Sequence, residues 1–170
     1  MKVLFLNQFF HPDVSAAAQI ATELAEDLAD AGFAVTAVCG QGSYLGGERL
    51  ETRERHHGIE IRRLRTTTLG KRTLLHRALD YGSFYAAAAL ELARLPRQDV
   101  IIAMTTPPLL AAVGLLPQRL RKTRLLYWVL DLYPDIAVAF GVLQPNAPAT
   151  KAMAALSGAV MARSDRLVVL

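Results

Sequence analysis

The chain has 170 residues, 52% of them hydrophobic and 20% charged, with a formal net charge of +4 at pH 7. That length holds one domain with a real core and excludes two ordinary ones, and the composition excludes intrinsic disorder. A single cysteine, Cys39, excludes an internal disulfide framework and fits a reducing, cytoplasmic compartment. Lys2 precedes only a short apolar run, which does not make a secretory signal.

Residues 2–7 (KVLFLN) are apolar with polar bounds, the pattern of a strand buried on both faces of a parallel sheet. The loop at residues 7–15 (NQFFHPDVS) carries neither G-x-G-x-x-G nor a Walker lysine. Ser15 can N-cap the helix that follows, with Asp13 as a second candidate. Ile20, Leu24, Leu28 and Ala31 share one helical stripe, Glu23, Glu26, Asp27 and Asp30 lie off it, and Gly32 suits the position after the helix. Residues 34–39 (AVTAVC) read as the second strand. Residues 40–58 are polar, with Gly40, Gly42, Gly46 and Gly47, and read as one long mobile loop of the kind that is functional or disordered.

Residues 59–64 (IEIRRL) alternate and predict a third strand near an edge. Residues 73–94 predict a helix weakened at its centre by Gly82, and residues 99–104 (DVIIAM) a fourth strand. Residues 100–118 lack any charge, and a membrane span needs about 20 apolar residues. Thr105-Thr106 and Pro107-Pro108 interrupt that run, so a strand, a tight turn and a helix explain it better. Pro107 biases Thr106 away from the α region and Pro108 suits a helix start. Residues 124–130 (RLLYWVL) give a fifth strand, "DLYPDIAVAFGVL" a loop and short helix, residues 147–162 a helix, and residues 166–170 a sixth strand. Six such units with right-handed crossovers make an α/β, doubly wound parallel sheet. The chain stops at the end of an apolar strand, so it is expected to be one half of something longer.

In such a sheet ligands bind beyond the carboxyl ends of the strands where strand order reverses, here between the first and fourth strands. Loops at residues 7–15, 40–42, 66–68, 105–108 and 131–135 face that crevice. A helix starting at Ser15 offers free N–H groups and a partial positive charge, and Ser15, Ala16, Ala17 and Ala18 leave room for a phosphate. The candidate phosphate or substrate contacts are His11, Asp13, Ser15, Ala16, Thr105, Thr106 and Arg72. Ordinary helix capping by Ser15, with the alanines packed on the sheet, accounts for the same residues. Asp131, just past an apolar strand, can act as a general base or substrate contact, or simply cap the next turn; Asp135 reads as an N-cap. His56 and His57 fall in the long loop, no set of His, Cys, Asp and Glu has metal-ligand spacing, and no serine has a nucleophile-elbow context. A structural zinc is therefore not expected.

Between Arg49 and Arg77 nine basic residues (Arg49, Arg53, Arg55, Arg62, Arg63, Arg65, Lys71, Arg72, Arg77) face only Glu51, Glu54 and Glu60. A patch of that kind suits an anionic partner, or is a solvated loop and strand edge. The adjoining helix sets Leu74, Leu75, Leu79, Phe84 and Tyr85 beside Lys71, Arg72 and Arg77, which fits a membrane surface or a helix packed on one side.

The run "NQFFHPDVSAAAQIATELAEDLADAGFAVTAVCG", the "TTPP" turn and "YWVLDLYPDIAVAFGVL" together resemble the N-terminal domain of family 4, GT-B-fold retaining glycosyltransferases, above all the bacterial enzymes of O-antigen, capsule and colanic-acid synthesis. The resemblance implies that residues 1–170 are a Rossmann-like acceptor-binding domain and that the C-terminal donor-binding domain is absent. It implies a nucleotide sugar as co-substrate and a lipid-linked acceptor at an anionic, cytoplasmic membrane face, without a cofactor, metal or nucleic acid. Ser15-Ala16-Ala17-Ala18 stands where many relatives carry a Gly-Gly pair. Leu130 stands where many carry a histidine, so only Asp131 carries over as a catalytic residue. Two other readings use the same fold: a non-catalytic, membrane-recruiting subunit of a split glycosyltransferase, and half of a sugar-nucleotide epimerase.

Overall fold

The computed structural model describes residues 1–46, 49–70 and 73–169, with Leu74 as backbone only. The elements in chain order are β1 (Lys2–Leu6), α1 (Ala16–Asp30), β2 (Ala34–Gly40), β3 (Arg53–His56), β4 (Ile59–Leu64), α2 (Leu74–Arg94), β5 (Val100–Ala103), α3 (Ala111–Arg121), β6 (Arg124–Val129), α4 (Asp135–Ala139), α5 (Pro148–Arg163) and β7 (Arg166–Val169). One seven-stranded sheet runs β3-β4-β2-β1-β5-β6-β7, and every pair is parallel except β3–β4. The doubly wound α/β sheet expected from the sequence is therefore present, with its order reversing at β1 and β5.

Burial explains why β1 reads as a continuous apolar run. Val3 and Phe5 pack with Ala21 and Ala25 of α1 on one face, while Leu4 and Leu6 pack with Phe84 and Ala88 of α2 on the other. Parallel strands covered on both faces have no polar side to show. The neighbours hold β1 in register, Leu6 opposite Val38 on β2 and Ala103 on β5. Arg121 of α3 donates to the carbonyls of Leu92, Ala93 and Leu95, satisfying the open end of α2.

Several expectations are corrected. The stretch 40–58 is not one loop: β3 lies within it and makes a seventh strand, antiparallel to β4. The two strands join through His57 and Gly58, with φ of 44° and 78°. Positive φ at both central residues is the turn geometry that matches the twist of a hairpin. The segment RERH has no apolar alternation, so the strand was invisible to hydrophobic pattern. β4 itself lies one strand in from the edge, near it as its alternation predicted. The helix after the Thr-Pro turn starts at Ala111, not Pro108, because Leu109 first takes a left-handed φ of 62°. Asp135 is the first residue inside α4, with Pro134 at the capping position, so it is not an N-cap.

The adjacent arginines of β4 have different environments. Arg62 is partly exposed and pairs with Glu60 and Glu91 at 2.8 Å each. Arg63 is buried, and its guanidinium donates to His11 O at 2.7 Å and Glu51 O at 3.1 Å and meets Glu54 Oε2 at 2.6 Å. Two members of the basic cluster are thus used inside the fold. Arg63→Met should cost about 2–3 kcal/mol, since it strips two carbonyls and a carboxylate of their donor. Arg62→Met should cost less than about 1 kcal/mol, as half-solvated ion pairs do. Urea unfolding of the two variants checks the contrast; equal losses would mean that the burial of Arg63 does not set its worth.

Candidate substrate cleft

At the sheet's reversal point the segment after β1 remains paired on both sides. Gln8 N donates to Thr106 O at 2.8 Å, and Gln8 O accepts from Gly40 N at 2.8 Å. Gly40 permits this approach: a Cβ there would sit 3.1 Å from Gln8 O. Asn7, at the end of β1, is buried; its Nδ2 donates to Phe9 O at 2.8 Å, and its Oδ1 is a buried acceptor without a partner. Three cis peptides, His11-Pro12, Thr106-Pro107 and Tyr133-Pro134, shape the loops after β1, β5 and β6.

The start of α1 is held open. Ser15 occupies the capping position but its side chain makes no capping bond. Asp13 anchors the entry instead: its carboxylate accepts from Ser15 N at 2.8 Å and from Tyr44 N at 2.6 Å, tying the loop after β1 to the loop after β2. The first intrahelical bond is Gln19 N–H to Ser15 O, so the N–H groups of Ala16, Ala17 and Ala18 precede the hydrogen-bonded turns. Those of Ala16 and Ala17 lie at a cleft of 450 Å³ lined by Phe9, Val14, Ser15, Ala16, Ala17, Tyr44, Leu45 and Thr106. The helix end supplies partial positive charge there, and no acidic side chain in its first turn opposes it.

The structure brings Ser15, Ala16 and Thr106 together at this cleft. Asp13 lies beside it as the clamp between loops. With His11, Asp13 borders a separate depression of 260 Å³ on the outer side of α1. The His11 ring stacks on His56 at 3.6 Å, away from the helix mouth. Thr105 is buried, and its hydroxyl accepts a long 3.4 Å bond from Asp131 N, so the two residues join the ends of β5 and β6 one strand away from the cleft. Arg72 lies outside the described residues. Phe9, Val14, Tyr44 and Leu45 were missed by sequence reasoning, although an exposed tyrosine and leucine inside a glycine-rich loop were a usable signal.

Asp131 faces a group of phenols that the sequence did not reveal. Burial, together with the neighbouring Asp131 carboxylate, pushes the Tyr127 hydroxyl up to about 12 and raises that of Tyr133. Burial raises Tyr85 as well, and its hydroxyl donates to Pro108 O. All three stay protonated at neutral pH, Tyr127 and Tyr133 beside the Asp131 carboxylate. Cys39 is buried at the end of β2, and burial raises its thiol to about 12, which leaves it unreactive.

Burial alone would raise the Asp13 carboxyl, but hydrogen bonds from Ser15 and the Tyr44 amide outweigh it and leave its pKa below the ordinary value. A depressed carboxyl contributes stability that is complete above its unfolded value and is lost as pH falls through the folded one. Asp13→Asn should therefore destabilise the protein by about 1–2 kcal/mol at pH 7. The gap to the parent should narrow as pH drops below the ordinary carboxylate range, as measured by urea unfolding from pH 7 to pH 3. A gap independent of pH would contradict the clamp.

Among solved structures, the sucrose-phosphate synthase of Thermosynechococcus elongatus superposes with a TM-score of 0.65 at 13% identity, over 98% of this chain. At that identity the likeness shows the fold, a Rossmann-like half of the GT-B type; the match takes in 41% of the synthase chain. No curated protein matches the chain significantly. The family model described as "Glycosyl transferase 4-like domain" matches residues 15–170, from the mouth of α1 to the last residue, and the chain belongs to that family of glycosyltransferase domains.

Proposed function

We propose that this chain is the acceptor-binding half of a retaining glycosyltransferase that moves a sugar from a nucleotide sugar to a lipid-linked saccharide in cell-surface polysaccharide synthesis. The observation that carries the reading is the uncapped mouth of α1 opening on a cleft, within a domain of a glycosyl-transferring family. A diphosphate seated there meets N–H groups, a helix end and the neighbouring Thr106. The apolar rim of Phe9, Val14, Tyr44 and Leu45 suits the non-polar part of a lipid-linked acceptor. Asp131, beside the phenols of Tyr127 and Tyr133, serves as the substrate-contacting carboxylate of the transfer step. The donor site belongs to a second domain or partner chain.

A peripheral membrane position belongs to the same proposal. Leu75 and Leu79 are exposed in the first turns of α2, as are Arg77 within the helix and Leu69 in the segment before it. Among the described residues no helix is long and apolar enough to cross a membrane. An apolar and basic surface of this size suits a helix end resting at an anionic interface.

Two measurements test these statements. Ala16→Asp places a carboxylate at the exposed mouth of α1. It should weaken binding of a short-chain polyprenyl-diphosphate sugar about tenfold, a loss of about 1.4 kcal/mol. Tm should hold or rise, because an acid at a helix start is favourable by about 0.3–1 kcal/mol. Unchanged affinity would remove the phosphate from this cleft. The second is transfer of labelled sugar to acceptor carried in anionic vesicles. Residues 1–170 alone should give no product, and joining a donor-binding domain should restore it. In the joined enzyme Asp131→Asn should lower kcat about a hundredfold, and Leu75→Ser with Leu79→Ser should reduce transfer from vesicles but not from the short-chain acceptor. Product from the isolated chain would refute the two-half reading.

A further inference from the structure

Three of the chain's four histidines meet at one place, although 45 positions separate His11 from His56. His11 comes from the loop after β1, His56 from the end of β3, and His57 from the hairpin turn. Two carboxylates join them, Glu54 on β3 and Glu26 on α1. One ligand atom each from His11, Glu54 and His56 all lie within 4.8 Å of one another, and Glu26, His56 and His57 satisfy the same condition. His11, Glu54 and His56 are all half-buried, whereas His57 is exposed.

We propose that His11, Glu54 and His56 bind a first-row divalent transition ion of the zinc class, with Glu26 orienting His56, and that this ion clips the β3 hairpin to the loop after β1. Two imidazoles and one carboxylate form a donor set suited to zinc, and a water completes four-coordination. The contacts around the trio are divided in the way such a site needs. Glu54 gives Oε2 to Arg63 at 2.6 Å, which fixes the carboxylate and leaves Oε1 facing His11 Nε2 at 4.0 Å. That gap is too long for a hydrogen bond and close to the ~3.4 Å that separates neighbouring ligand atoms around a tetrahedral zinc. His56 Nε2 lies 2.8 Å from Glu26 Oε1, the carboxylate–imidazole arrangement that fixes a ligand's tautomer and ring orientation. Because Glu26 holds His56 through Nε2, Nδ1 is the His56 atom left to ligate, and the His11 ring, stacked 15° from parallel, turns about its own Cβ–Cγ bond to meet it. The site lies on the outer side of α1, apart from the substrate cleft, and its role is structural: it fastens the loop that carries Asp13.

The test uses untagged protein, stripped with a chelator, titrated with Co²⁺ and then with competing Zn²⁺. One Co²⁺ per chain should give the visible bands of a four-coordinate ion, and Zn²⁺ should quench them. Zn²⁺ should raise Tm in a concentration-dependent way that chelator reverses. His11→Ala, His56→Gln and Glu54→Gln should each weaken binding at least about tenfold, the last while keeping an acceptor for Arg63. His57→Ala and His76→Ala should bind as the parent does. Absence of the Co²⁺ bands and of the Tm shift in the parent, or parental affinity in His11→Ala, overturns the site; loss of binding in His57→Ala moves the ion to the other trio and overturns this assignment.

Discussion

The structure depends on one topological constraint, the reversal of strand order between β1 and β5. These central strands are paired in parallel, yet the chain leaves β1 toward α1 on one face and leaves β5 toward α3 on the other. Loops that part in opposite directions cannot close over the strands beneath them. The gap is limited by backbone pairing: Gln8 bonds to Thr106 on one side and Gly40 on the other, so it opens above that level and not between the strands. Every feature assigned to the cleft is placed by this geometry, including the mouth of α1, Thr106 after β5 and Tyr44 after β2.

The mouth of α1 is open without glycines because of where the capping interaction is made. Phosphate loops commonly use glycine to bring backbone amides near the ligand. Here the loop entry is fixed by Asp13, whose carboxylate takes amides outside the helix, from Ser15 and Tyr44. Had the Ser15 side chain capped α1, it would have taken one of the N–H groups that now face the cleft. Alanines at 16 and 17 supply the missing bulk that glycine supplies elsewhere, and they retain a helix-forming backbone. A capping carboxylate set back from the mouth and small side chains at it together keep the helix start open without a glycine motif.

The elements legible in the sequence were those whose burial alone dictates composition. β1, β2, β5 and β6 are apolar runs because helices cover both faces, and α1 shows a stripe because it covers one. β3 was not legible because its stability comes from pairing with β4 and from charged side chains, not from an apolar face. The same limit applied to the site. Ser15, Ala16 and Thr106 could be assigned from helix-start and turn chemistry, whereas His11 carries no sign in the sequence that it turns outward to meet His56. That meeting follows from the hairpin, so missing the hairpin concealed the histidine cluster. Asp131 was placed correctly at a strand end, but the phenols beside it come from β6 and the loop beyond, and no local pattern unites them.

Charge shows the same dependence on topology. In sequence, Arg49 to Arg77 is a single basic block; in the fold it divides by the alternation of β3 and β4. Arg63 points inward, and its bonds to His11 O and Glu51 O hold the first loop against the hairpin. Arg62, on the other face of β4, pairs with Glu91 of α2. Arg53 and Arg55 share the exposed side of β3, and Arg65 and Arg77 are exposed further along. A strand whose neighbouring side chains point to opposite faces cannot commit a run of arginines to one partner. Among the described residues of this block the basic groups exposed to an anionic surface are Arg49, Arg53, Arg55, Arg65 and Arg77, while Arg63 supports from within the loop that carries Asp13.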